Sequence, residues 1–152
     1  MSATYRYPLQ SLQDLREAEL SAARACLAEV AQRIEYVEHE IGCCQDSIQD
    51  TEASLRAGQS RGVVELELHR VAGIYLAYLQ REMRRLFGNA AALQKEKEQC
   101  MDDLRAARQA LRMLELHRAR LASEHAISFA RRQQHEQDAV WLSHRQQRGG
   151  QP

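Results

Sequence analysis

The sequence predicts an all-α fold: an antiparallel two-helix coiled-coil hairpin whose second helix is the longer. Three observations predict it. Both halves of the chain carry a long seam of apolar residues spaced alternately three and four apart. The only prolines, Pro8 and Pro152, stand at the two ends, so none interrupts the helices between them. One short stretch, Gly58-Gln59-Ser60-Arg61-Gly62, is the sole turn signal of the interior.

The elements follow in order. Residues 1 to 7 form a lead-in with Tyr5 and Tyr7, and Pro8 suits a first helical turn, where its missing N–H is no loss. The first helix is expected from about residue 8 to residue 57. Its seam reads Leu20, Ala23, Leu27, Val30, Ile34, Val37, Ile41, Cys44, Ile48, Thr51 and Leu55. Before Leu20 the phase slips, because Leu9, Leu12 and Leu15 do not continue it through Gln13 and Arg16. Residues 58–62 are expected as the turn, since five residues can join two antiparallel helices. The second helix is expected from about residue 63 to residue 143, roughly 120 Å of helix at the usual rise. Its seam runs Ala72, Leu76, Leu79, Met83, Leu86, Ala90, Leu93, Cys100, Leu104, Ala107, Leu111, Leu114 and Leu121, broken only by Lys97 and Arg118. From Arg145 the chain reads as a polar tail, disordered over residues 149–152. Residues 1–148 thus form a single helical unit.

A turn centred on Ser60 sets a register. It places Ile48 against Ala72, Cys44 against Leu76, Ile41 against Leu79 and Leu20 against Cys100. Leu9 then falls opposite about Leu111. Leu114, Leu121, Ile127, Phe129, Val140 and Trp141 are left without a partner in the chain. Exposed apolar helix surface marks either a docking site for another protein or a face for self-association.

Composition excludes other classes. A formal net charge of +0 argues against a nucleic-acid binder, which needs a basic face. No apolar run approaches the ~20 residues that span a bilayer, and the first dozen residues lack a signal-peptide core. A cytoplasmic protein is expected. Cys43 and Cys44 are adjacent while Cys26 and Cys100 are scattered, which is no secreted disulfide framework.

No catalytic constellation can be assembled, so no enzyme is expected. There is no phosphate loop and no HExxH, and no Glu precedes a His by three residues, so neither a metal nor a cofactor is expected. Cys44 falls on the seam as a small core residue. Asp102 and Asp103 read as a solvated face. Tyr75 and Tyr78, with Gly73 alongside, form either a docking patch or packing over the coiled coil. Arg131, Arg132, Arg145 and Arg148 make the end of the second helix basic. That end either meets an acidic surface or is simply solvated.

The start YRYPLQSLQDLREAELSAARACLAEV, the glycine-containing turn, IYLAYLQREM after it and the closing RRQQHEQDAVWL together resemble the FliJ family of flagellar type III export. The injectisome counterparts of YscO type share this length and plan. The chain departs from the family pattern at Asp138, which is followed by Ala139. The resemblance implies a stalk-like, non-enzymatic component of the export apparatus. It would be cytoplasmic and peripherally associated with the membrane-embedded machinery. Its implied partners are the hexameric export ATPase, the cytoplasmic domain of the export gate and the export chaperones, with no nucleic acid and no membrane insertion. Carried onto this chain, the ATPase-ring contacts would be Tyr5, Tyr7, Leu9 and Leu12 on one helix and Phe129, Arg131, Arg132 and Trp141 on the other. The export-gate contact would be Tyr75 and Leu79. The alternatives are a structural coiled coil that self-associates through its overhang, and the equivalent stalk of a virulence injectisome.

Overall fold

A computed structural model describes residues 6–60 and 66–149. Helix α1 spans Gln10–Ser60 and helix α2 spans Leu66–Gly149, 51 and 84 residues long. No strand occurs among the described residues. This is the expected all-α hairpin with the longer second helix. Both helices are built of Leu, Ala, Glu, Gln and Arg, which lose little side-chain freedom on entering a helix. The Tyr7 carbonyl opens α1 by accepting a hydrogen bond from the Gln10 N–H at 3.3 Å.

The helix ends differ from expectation. Helix α1 runs through Gly58 to Ser60 rather than stopping near Ala57. A glycine inside a helix costs only about 1 kcal/mol, too little to end one that is packed along its length. Arg61 and Gly62, the rest of the expected turn, lie outside the described residues. At the other end, residues 145–149 are helical although the tail was expected from Arg145. Arg and Gln are good helix formers and the paired glycines come only after them.

The chain divides into two compact units, Ser21–Arg105 and Met1–Leu20 with Ala106–Pro152. In the first, Val37 and Cys44 of α1 pack with Leu79, Leu86 and Leu93 of α2. Ile34, Ile41, Ile48, Met83 and Ala90 close around them, half-buried. The seven-residue spacing of Val30, Val37 and Cys44, and of Leu79, Leu86, Leu93 and Cys100, is the heptad itself. Within this unit the buried seam residues of α1, Val30, Val37 and Cys44, come from the smaller of its two seam positions.

The register is displaced from the expected one. The Cys44 thiol donates to the Leu79 carbonyl at 3.4 Å, one turn beyond Leu76. Cys26, not Leu20, faces Cys100, with the two sulfurs 2.7 Å apart. The displacement goes with an α1 that continues through Gly58 to Ser60 rather than ending near Ala57. The Arg33–Glu96 ion pair, 3.0 Å, crosses between the helices with both side chains about half exposed. A pair this wet contributes at most about 1 kcal/mol.

Gly88 lies inside α2, and a methyl group added there would meet nothing within 4 Å. Gly88→Ala is expected to stabilise the fold by about 0.5–1 kcal/mol, read as a higher midpoint in urea unfolding.

Candidate interaction surfaces

In the unit formed by Met1–Leu20 and Ala106–Pro152, the seam does not slip. Gln13 and Leu20 are buried and Arg16 is half-buried, so the heptad continues with polar residues in apolar slots. Gln13 is satisfied on both sides of its amide. Its nitrogen donates to Glu17 at 2.9 Å and its oxygen accepts from Arg118 at 3.3 Å. The leucines that seemed to break the pattern, Leu9, Leu12 and Leu15, point outward and are exposed.

Tyr7 is 4% exposed, although the resemblance places it on a partner-facing surface. Its hydroxyl lies 2.8 Å from His117 Nδ1 and 3.5 Å from the Leu114 carbonyl oxygen. The Arg118 guanidinium sits 5.9 Å from the Tyr7 ring centre, on the ring face. So α1 is engaged as far as His117 and Arg118, beyond the Leu111 limit that the expected register sets. Tyr7→Phe removes the hydroxyl and leaves the ring. It is expected to cost about 1 kcal/mol and to speed amide exchange around Leu114–Arg118.

From Phe129 onward the described side chains are all exposed. Phe129 and Val140, eleven residues apart, share a face, since three helical turns cover that interval. Trp141, 61% exposed, stands beside Val140. The Arg145 guanidinium lies 5.4 Å from the Trp141 ring centre, and His144, Arg145 and Arg148 line one shallow depression with it. Gln133, Glu136, Gln137, Val140 and Trp141 line a second. Arg131 and Arg132 lie on the same exposed segment. An indole held under a guanidinium, among apolar and basic neighbours, has the chemistry of an interface anchor for a partner with acidic and apolar groups. Of the residues assigned to the ATPase ring, Leu9, Leu12, Phe129, Arg131, Arg132 and Trp141 are exposed and Tyr7 is not. Tyr5 lies outside the described residues.

The Ser21–Arg105 unit carries a second exposed apolar face, at the start of α2. Val71, Ile74, Tyr75 and Tyr78 recur at three- and four-residue steps and are all exposed, as are Leu66 and Leu68. The rings of Tyr75 and Tyr78 stack with centres 6.5 Å apart. Leu79, assigned with Tyr75 to the export gate, is instead 6% exposed in the core, because it is the seam residue of that turn. The patch therefore holds Val71, Ile74 and Tyr78 around Tyr75. Val71 and Ile74 were not singled out from the sequence. Their signal was legible all the same, as apolar residues out of phase with Ala72, Leu76 and Leu79. Arg81, Arg84 and Arg85 follow. The Arg85 guanidinium, donating to Glu82 from 2.8 Å, holds that carboxyl below its ordinary range. A depressed carboxyl contributes at neutral pH and fades as pH falls through the carboxylate range, by little at an exposed site.

Among the described residues, no three His, Cys, Asp or Glu side chains gather as a metal site would require. No helix among them is long and apolar enough to cross a membrane.

No family model matches the chain, and no curated protein matches it. The fold defines a class, the long two-helix hairpin with the longer second helix. A solved structure of that class is similar to this chain throughout: CT670 from Chlamydia trachomatis, described as a candidate YscO homolog. The two are 20% identical with a TM-score of 0.65, over 97% of this chain and 100% of the other. At that identity the likeness establishes a common fold.

Proposed function

We propose that this chain is a stalk-like, non-enzymatic component of a type III secretion export apparatus, linking a hexameric export ATPase to the export gate and receiving export chaperones. The observation that carries the proposal is the end-to-end fold likeness to a chain described as a candidate YscO homolog. The exposed Phe129–Arg148 segment supports it as the ATPase-facing surface, with Leu9 and Leu12 as additional contacts. The Val71–Tyr78 face supports it as the gate-facing surface. The flagellar machine is the reading that the sequence resemblance favours. The solved neighbour is described on the injectisome side, so the equivalent stalk of an injectisome stands beside it.

The test is to add the purified full chain to the hexameric export ATPase of its own organism, flagellar and injectisome forms in parallel, and measure turnover. A rise with one form supports the reading and identifies the machine. No change with either, under conditions where the ATPase assembles, overturns it. A second reading, a structural coiled coil that pairs through its own overhang, draws on the exposed Val140, Trp141 and Leu142. Light scattering separates the two. A stalk is monomeric alone, whereas the structural protein is a dimer or larger that dissociates when Trp141 is replaced.

A further inference from the structure

Cys26 and Cys100 are far apart in sequence, yet their Sγ atoms lie 2.7 Å apart across the two helices of the Ser21–Arg105 unit. Both are free thiols. The other two cysteines have different surroundings. Cys44 donates to the Leu79 carbonyl, and Cys43 faces its own helix, 3.6 Å from His39 Nε2. A disulfide needs its sulfurs at about 2.05 Å, so Cys26 and Cys100 require only a small further approach. Cys26 is exposed and Cys100 is buried, so an oxidant in solution meets one of the pair first.

We propose that Cys26 and Cys100 are a modification site: a thiol pair that low-molecular-weight disulfides of the glutathione class convert to an interhelical disulfide. The Cys26 thiolate attacks one sulfur of the oxidant and breaks its S–S bond. One thiol leaves, and Cys26 remains as a mixed disulfide. Cys100 then attacks the Cys26 sulfur, gives its proton to solvent and releases the second small thiol. In all the protein loses two protons and two electrons, and the small disulfide gains them as two thiols.

The surroundings fit the order of steps. The Cys100 thiol is pushed up to about 11, first by its hydrogen bond with Cys26, then by burial and by the negative charge of Glu96 and Asp103. A thiol so held is a poor first nucleophile. Capping Cys26 removes the largest of those causes and frees Cys100 to resolve the mixed disulfide. The product ties α1 to α2, so the helices cannot part along that stretch. This inference does not depend on the function proposed above.

The test equilibrates the full chain in buffers of rising oxidised-to-reduced glutathione ratio, alkylates the remaining thiols and measures intact mass. The expected product is about 2 Da lighter before alkylation, retains two of its four thiols and yields a Cys26–Cys100 linked peptide. Closing so long a loop is expected to raise the melting temperature by about 10 °C or more, reversibly with reductant. Cys26→Ser, at an exposed position, is expected to abolish the product. Cys100→Ser is expected to accumulate glutathione on Cys26, with circular dichroism confirming its helix content. Four alkylatable thiols at every ratio would overturn the proposal. So would a lasting mixed disulfide in the unaltered chain, a Cys26-linked dimer, pairing through Cys43 or Cys44, or a tied form that melts no higher.

Discussion

Replacing Val30 with aspartate is expected to lower the melting temperature by roughly 10–15 °C. Val30 is the most enclosed side chain among the described residues, 2% exposed. The substitution removes about 1.5 kcal/mol of apolar burial and sets a carboxylate in an apolar seat. Leaving a charge unpaired in such a place costs about 3–5 kcal/mol. Folded domains hold only about 5–15 kcal/mol in reserve, so the loss is a large part of the whole. Thermal unfolding followed by far-ultraviolet circular dichroism measures it. Tyr36→Asp, at a position 66% exposed on the same helix, brings the same charge and is expected to shift stability by less than about 0.5 kcal/mol. Equal losses at the two positions would mean that the buried stripe does not hold the helices together.

On the function proposed above, joint replacement of Phe129 and Trp141 by alanine is expected to weaken binding to the export ATPase by roughly 100-fold to 1,000-fold, and to remove most of any stimulation of its turnover. Aromatic anchors at the centre of an interface are each worth about 2 kcal/mol or more, and each 1.4 kcal/mol is a factor of about ten. Both side chains are exposed in the free chain, so the helix and its melting temperature should hold. That separation gives the experiment its force. A variant that folds as before but stimulates as well as the parent would remove the Phe129–Arg148 segment from the ATPase contact. A companion variant, Ile74→Ala with Tyr75→Ala, is directed at the other exposed face and should leave the ATPase response unchanged.

The seam was legible because period is a property of residue type alone. Leu20 to Leu55 and Ala72 to Leu121 could be assigned with no knowledge of what faces them. Register was not legible, because it depends on where the chain reverses. Gly58 read as a helix end, but a packed helix absorbs one glycine at modest cost, and α1 continues to Ser60. A displacement of about one turn at the connection then carried through the pairings, so the meeting of Cys26 with Cys100 could not be foreseen. Gln13 and Arg16 read as a lapse in the pattern because polarity was taken as evidence of surface. They keep the seam positions because Glu17 and Arg118 satisfy the Gln13 amide there. Tyr7 was read by its chemistry, as an aromatic suited to a partner. Its fate was decided by His117 and Arg118, which only the folded register brings to it.

Gln13 also bears on how the two helices find one alignment. A stripe of leucines and alanines is nearly self-similar, and sliding it by a heptad exchanges one apolar neighbour for another at little loss. An enclosed amide is not interchangeable in this way. Displaced by seven residues, Gln13 would no longer meet Arg118, and a stranded amide costs about 1–3 kcal/mol. By the factor of ten per 1.4 kcal/mol, that is roughly a fivefold to hundredfold bias against each slipped alignment. One glutamine near the start of α1 thus serves as an index mark on an otherwise uniform scale, and the chain closes on a single setting.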